Sequence, residues 1–400
     1  MHILKVICSL SLRHGGPSFA CLNQAKALAD RGHQVTIYTT NDNVDSLLDV
    51  PLNQAIKKDG YKIYYFPITL HSISYFRKYY LSIHLKQYLL ENISHYDIVY
   101  IYSLYRFPPT IAAYYARKYH IPYVMNPHGS LDPFLFKKNR LLKFPHEKLF
   151  DFPNLNHASA IHYTSLEEQQ LTLPLKLKAP GIIIPLGIDV KQHRYPLKGL
   201  FRGQYNLFKH KILLFFGRIN FKKGLDLLIP AFFQIIQRHK EAVLILAGPD
   251  NEGYGKEVSN WIKEFNLEKH VIFTGMITGD KKIALLADAD VFILPSYTEN
   301  FGIAVVEAMA AGIPVIISNK VNIWREVKQG NAGIVVSCNV EEIAKACIEL
   351  LSNESLRLTM GKNGQKIAED LFSIEKTTIK LEESFIEIIN KHKSKCELLK

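Results

Sequence analysis

The sequence predicts an α/β protein built from two doubly wound domains in tandem. Three observations carry that prediction. Short apolar runs rich in β-branched and aromatic residues alternate with longer helical patterns in both halves. The runs are apolar nearly throughout, as strands of a parallel sheet covered on both faces must be. The rhythm then stops at a linker-like stretch around Asp189–His210 and restarts with Lys211. The chain has 400 residues, which fits two domains at about 100–200 residues each. Its 48 % apolar content against 22 % charged residues supplies a sizeable core and excludes extended disorder.

The first strand is expected at Ile3–Ser9. Its apolar start resembles a secretion signal, but no small-residue cleavage site follows and Gly15-Gly16-Pro17 suits a strand-to-helix turn. A helix over Pro17–Asp30 has Pro17 at its first position and Gly32 just past its end. Strands follow at Gln34–Thr39, Lys62–Phe66, Ile98–Tyr102, Tyr123–Asn126, Ala160–Thr164 and Ile182–Pro185, with a helix at Pro109–Tyr119. The second half places strands at Ile212–Phe216, Val243–Ala247, Val271–Thr274, Val291–Leu294, Val315–Ser318 and Ile334–Val336. Helices fall at Leu225–His239, Glu257–Phe265, Lys281–Ala287, Ile303–Ala311 and Val340–Leu351, and the tail Ile374–Ile389 reads as a long helix. Pro230 should kink or shorten the helix that contains it. The domains are then 1–200 and 201–373. Ligands of such sheets sit at the carboxyl ends of strands, and two facing domains would form a cleft.

Cys8, Cys21, Cys338, Cys347 and Cys396 are scattered and form no C-x-x-C pair, which argues against a disulfide framework or a zinc site. No apolar run approaches the ~18–20 residues of a spanning helix. A reducing cytoplasmic setting is expected. The net charge of +12 points to an anionic partner. Lys+Arg exceed Asp+Glu by 23 to 13 in residues 1–200 but only by 26 to 24 in 201–400. The basic excess therefore belongs to the first half.

Three motifs carry chemistry. Leu12-Arg13-His14-Gly15-Gly16-Pro17 follows the first strand, where paired glycines admit a close ligand approach at a helix N-terminus. It is not G-x-G-x-x-G, so the dinucleotide fingerprint is absent. Phe216-Gly217-Arg218-Ile219-Asn220-Phe221-Lys222-Lys223-Gly224 ends the second domain's first strand. Arg218 can grip a phosphate with its fork and Lys223 can add a point charge. Pro295-Ser296-Tyr297-Thr298-Glu299-Asn300-Phe301-Gly302 then leads into a helix that contains Glu307. Glu299 and Glu307 can hold two ends of one extended ligand, and a carboxylate suits a vicinal diol. Amides of Asn300, Phe301, Gly302 and Ile303 stand at the helix start.

With Pro127-His128-Gly129-Ser130 and Pro185-Leu186-Gly187-Ile188-Asp189, these motifs, in this order, resemble the GT-B nucleotide-sugar glycosyltransferases of the large retaining family 4. The resemblance implies two Rossmann-like domains facing across a cleft, the first completed by the helix over 374–400. It implies that Arg218 and Lys223 bind the donor diphosphate, Glu307 the ribose and Glu299 the donor sugar. Gly15 and Gly16 match the loop that closes on the phosphates, and His128 a histidine near the reacting centre.

The function expected is a metal-independent hexosyltransferase that moves a sugar, with retention, from a nucleoside-diphosphate sugar to a glycan or lipid-linked acceptor in polysaccharide or cell-envelope biosynthesis. Beyond the donor as co-substrate, no cofactor is expected. Two alternatives use the same scaffold: a nucleotide-sugar epimerase, and a binding protein without turnover. Asp288-Ala289-Asp290 spells D-x-D, a metal motif elsewhere, but it precedes a strand and reads as a helix end and a strand start. Ser74–Leu90 and Phe134–Lys148 are basic and aromatic, and such segments can lie on an anionic membrane. The partners expected are the donor, the acceptor and an anionic membrane surface, with no nucleic acid. The location expected is cytoplasmic, peripheral on the inner face of the membrane.

Overall fold

A computed structural model of the chain describes residues 1–134, 140–193 and 197–397. It divides into two units. The first comprises Met1–Gly187 with Ile374–Lys400, and the second Ile188–Ser373. Residues 188–200, assigned to the first domain on sequence, thus fall in the second unit. The helix Leu200–Tyr205 is fastened there: Asp288 Oδ1 accepts from Gly199 N at 2.6 Å and Oδ2 from Arg202 N at 2.9 Å. Among the described residues, no helix is long and apolar enough to cross a membrane.

The strands of the first unit are β1 (His2–Ser9), β2 (Gln34–Thr40), β3 (Asp42–Asn43), β4 (Ser46–Leu47), β5 (Ala55–Lys58), β6 (Tyr61–Phe66), β7 (Ile98–Tyr102), β8 (Tyr123–Asn126), β9 (Ala160–Tyr163) and β10 (Gly181–Ile183). Eight of them form one sheet in the order β10-β9-β8-β7-β1-β2-β6-β5, parallel except for β5. Ile3, Leu4, Val6, Ile98, Val99 and Ile101 are fully buried, as central strands between two layers require. One face packs on the helix Gly16–Asp30 and on the tail helix Ile374–Glu397 through Leu381 and Phe385. Glu382 fastens that tail to Arg31 and, at 2.7 Å, to His33 Nε2. The edge strand β5, absent from the sequence reading, is short and exposed, and it carries Lys57 and Lys58 in place of an apolar run.

The second unit holds β11 (Lys211–Phe216), β12 (Ala242–Ala247), β13 (Val271–Gly275), β14 (Val291–Leu294), β15 (Val315–Ser318) and β16 (Gly333–Val336). All run parallel in the order β13-β12-β11-β14-β15-β16. The helix Leu225–Arg238 runs through Pro230 and is not shortened there. Leu225, Leu228, Ile229, Phe232 and Ile235 on its core face are all fully buried, and that packing outweighs the missing backbone donor. The strand order reverses between β11 and β14 in this unit and between β1 and β7 in the first. In an open parallel sheet, the carboxyl ends of the strands at such a reversal are where ligands bind.

Candidate active site

In the second unit the reversal brings two loops together. The loop after β11 carries Arg218 and closes in a short turn at Phe221–Lys223, where the Asn220 side chain accepts from Lys222 N. Gly224 ends that turn at φ 70°, and a Cβ there would lie 2.2 Å from Pro295 O. The turn can therefore sit directly on the end of β14, where Tyr297 N donates to Lys222 O at 2.8 Å. Lys223 folds back over Gly217, and its Nζ donates to Glu299 Oε2. Glu299 is held from both sides of its backbone: its N–H donates to Lys320 O and its carbonyl accepts from Asn322 N, each at 3.0 Å. Arg218 is exposed and has no ion pair among the described residues.

Gly302, at φ 82°, starts the helix Ile303–Ala310. The N–H groups of Phe301, Gly302 and Ile303 donate to no group among the described residues, so the helix start offers donors to an anion. The Phe301 side chain belongs to the core, edge-on to Phe372 at 5.5 Å, so only its backbone can serve a ligand. Glu307 is buried on the second turn of this helix. Its partner is one the sequence reading missed: Lys282 Nζ lies 2.7 Å from Glu307 Oε1. Lys282 stands in the first turn of the helix Gly279–Asp288, where the helix dipole disfavours a cation. Two basic residues at such a place, Lys281-Lys282, are the signal that could have found it. His193 is also buried beside these helices, and its Nε2 has no partner among the described residues. Burial first, and then the charge of Lys282, push its pKa down to about 4 against an opposing effect of Asp189.

The second unit thus gathers Arg218, Lys223, Glu299, Glu307 and the Phe301–Ile303 amides on the loops of one reversal. Two lysine–carboxylate pairs balance each other and leave the positive charge of Arg218 in excess, with hydrogen-bond donors and acceptors interleaved. Such an arrangement can hold a diphosphate between diols. The D-x-D pair is occupied otherwise. Arg202 donates to Asp288 O and, at 2.8 Å, to Asp290 Oδ2, and Ile212 N donates to Asp290 Oδ2 at 2.7 Å.

In the first unit Gly15, at φ 81°, caps the helix Gly16–Asp30 after β1. A Cβ at Gly15 would meet nothing within 4 Å, so the loop is open on that side. His14 anchors it through Nε2 to Asp42 Oδ2 at 2.7 Å. His128 and Gly129 follow β8 at φ 47° and 74°. The turn is held by His128 N donating to Asn126 Oδ1 at 3.0 Å and Gly129 N to Glu168 Oε1 at 2.9 Å. His128 Nε2 is buried without a partner among the described residues. Burial, with lesser repulsion from His162 and Lys5, lowers its pKa to about 3, so the ring is neutral. It can donate or accept a hydrogen bond but carries no charge near pH 7. Lys5 is a second residue the sequence reading missed, fully buried in β1 with Nζ 3.1 Å from Gln24 Oε1.

A family model described as glycosyl transferases group 1 matches residues 200–367, and one described as glycosyltransferase family 4 matches residues 14–192. An uncharacterized glycosyltransferase of Methanocaldococcus jannaschii is 31% identical over 185 residues, 45% of this chain and 47% of that one. A putative glycosyltransferase of Bacillus subtilis is 30% identical over 48% of this chain and 50% of its own. The chain therefore matches about half the length of these two curated relatives. N-acetyl-alpha-D-glucosaminyl L-malate synthase of Bacillus anthracis is 26% identical over 95% of this chain and 96% of its own. Among solved structures, Anabaena HepE in complex with UDP and glucose superposes with a TM-score of 0.76 at 20% identity, covering 97% of this chain and all of that one. WaaG, a glycosyltransferase involved in lipopolysaccharide biosynthesis, gives 0.73 at 17% identity over 95% and 99% of the two chains. The fold is that of these GT-B proteins. The epimerase alternative gains no support from these matches.

Proposed function

Since the chain belongs to the group 1, family 4 glycosyl transferases, we propose that it moves a sugar, with retention, from a nucleoside-diphosphate sugar to an acceptor hydroxyl. The acceptor class is a glycan or lipid-linked saccharide of polysaccharide or cell-envelope biosynthesis. The observation that carries the reading is the pairing of Lys223 with Glu299 and of Lys282 with Glu307 around one strand reversal.

The donor lies on the second unit. Arg218 and Lys223 hold its diphosphate, and the Phe301–Ile303 amides with Asn300 face it at the helix start. Glu307 accepts from the ribose diol and Glu299 from the sugar. In the step, the bond from the anomeric carbon to the diphosphate oxygen breaks as the acceptor oxygen bonds to that carbon from the same face. The acceptor's proton passes to the leaving diphosphate, whose charge Arg218 and Lys223 offset. Glu299 positions the sugar and forms no covalent bond. Gly15, Gly16 and His128 of the first unit are proposed as further donor contacts, His128 through a neutral ring that can donate or accept a hydrogen bond. No metal is needed in this scheme.

A location on the inner face of a membrane is part of the proposal. Ring contacts run from Tyr75 to Tyr79, from Tyr79 to His146 and from His146 to Phe150, linking the two basic, aromatic segments. Tyr75 and Phe144 are exposed in these segments and Leu149 and Phe150 just past the second, with Lys78 and Lys148 exposed as well. Arg77 is instead held by Asp42 and the carbonyls of Val44, Asp45 and Ser46. Leu135–Asn139 of the second segment lie outside the described residues. Co-sedimentation with anionic liposomes at low salt is the expected result, and its absence counts against the membrane location.

The donor is tested by thermal shift across UDP-, GDP- and ADP-sugars. One series should raise the melting temperature, and the product formed with it should keep the donor's anomeric configuration. A response to none of the three contradicts the proposal.

A further inference from the structure

We propose that Lys282 is a positioning residue of the nucleotide subsite, fixing Glu307 so that one carboxylate oxygen is committed and the other is offered to the ribose. The inference rests on the transferase reading, which uses the Lys282–Glu307 pair only as an observation, and gives Lys282 a role of its own.

The placement of Lys282 is unfavourable by itself. It sits in the first turn of its helix, against the dipole, and its helix has no side-chain cap. A lysine on such a turn ordinarily extends into water. Here the side chain is turned inward and only 16% exposed. Its target, Glu307, is 11% exposed on a helix whose neighbouring residues Val305, Val306, Ala308 and Met309 are fully buried. A carboxylate so enclosed needs a partner, and Lys282 supplies it at 2.7 Å.

The pair is asymmetric. Lys282 takes Oε1, whereas Oε2 accepts no hydrogen bond among the described residues and is not sealed from solvent. An ionic clamp on one oxygen fixes the plane of the carboxylate and leaves the second oxygen with both lone pairs for a donor. The vicinal ribose hydroxyls of a nucleotide suit that oxygen: every nucleotide carries them, whereas the N–H donors of the bases differ from one base to the next. His193, buried beside Lys282, is neutral near pH 7 and does not compete with it for Glu307.

The test is calorimetric titration of the full-length wild type, Lys282→Met and Lys282→Arg with UDP, GDP, ADP and inorganic pyrophosphate. For the nucleotide the wild type binds best, Lys282→Met should raise Kd about tenfold, the loss of roughly one charge-assisted hydrogen bond. Its Kd for pyrophosphate, which has no ribose, should stay within about twofold by the same arithmetic. Lys282→Arg should recover most of the nucleotide affinity, and a melting curve of each variant verifies folding. With the matched sugar donor, KM should rise by a larger factor than kcat falls. An unchanged nucleotide Kd in Lys282→Met overturns the proposal. So does an equal weakening of pyrophosphate, which would make Lys282 a phosphate ligand. A wild type that binds none of the three nucleotides overturns this proposal together with the transferase reading. Wild-type binding that is insensitive to Lys282→Met overturns the positioning role alone.

Discussion

His128 and Tyr102 lie face to face, their ring centroids 5.3 Å apart and their planes 13° from parallel. The stack closes one side of the imidazole to water, and His162 and Lys5 add positive charge nearby. The His128 pKa falls from 6.5 to about 3 for these reasons, burial first. His162, whose Nε2 donates to Ile184 O at 2.7 Å, is lowered to about 4, again by burial first.

Both rings bind fewer protons folded than unfolded between their folded pKa and 6.5. Their contribution is therefore complete above pH 6.5 and is lost as pH falls toward 4 and then 3. Urea unfolding should show stability dropping over this range, by at most about 1.4 kcal/mol per pH unit for each ring. His128→Gln should flatten that slope. An identical slope in the variant contradicts the assignment.

Lys5 is fully buried in β1 with no carboxylate partner among the described residues. Its Nζ lies 5.4 Å from the ring centroids of both Tyr100 and Tyr102. Burial lowers its pKa from 10.5 to about 8, against a smaller opposing effect of Cys21. The folded state then binds fewer protons than the unfolded state between pH 8 and 10.5, so this lysine costs stability at pH 7. Lys5→Met should stabilise the protein at pH 7 by about 1–3 kcal/mol. The gain should shrink as pH rises toward 10. A variant less stable than the wild type at pH 7 contradicts this.

Gly224 permits the turn that carries Lys223. Alanine there faces both a φ of 70° and a Cβ 2.2 Å from Pro295 O. Gly224→Ala should lower stability by about 2 kcal/mol or more, read by denaturant midpoint. It should also weaken nucleotide binding, because the turn must move away from β14. Wild-type values for both would contradict the described contact.

Arg202 ties the start of the second unit to its sheet. Its guanidinium donates to Leu207 O at 2.9 Å and His210 O at 2.7 Å as well as to Asp288 O and Asp290. Arg202→Ala should cost about 2–4 kcal/mol by leaving these acceptors unpaired. The expected readout is a lower melting temperature for the second unit, and an unchanged one contradicts the role.

Much of this was legible in the residues. The buried strands of both sheets are continuous apolar runs, and those runs mark them without a structure. The loops bearing Arg218, Lys223 and Glu299 follow from their place at strand ends. Strand β5 was not legible, because an exposed edge carrying Lys57 and Lys58 needs no apolar pattern. Pro230 misled, because local propensity weighs less than the burial of Phe232 and Ile235. Lys282 and Glu307 lie 25 positions apart on separate helices. Their pairing depends on the order of strands in the sheet, which spacing along the chain does not encode. Lys5 was hidden for a similar reason: its shelter is Tyr100 and Tyr102 of β7 and Gln24 of the helix Gly16–Asp30.

The central claim is that Lys223 and Glu299 act together on a nucleotide-sugar donor. The most direct test is the initial rate of sugar transfer by Lys223→Ala and Glu299→Gln, with the donor identified by thermal shift. Each should fall about 10²-fold or more below the wild type, as when one preorganised electrostatic contact to a reacting group is lost. Rates near that of the wild type in both variants would contradict the site.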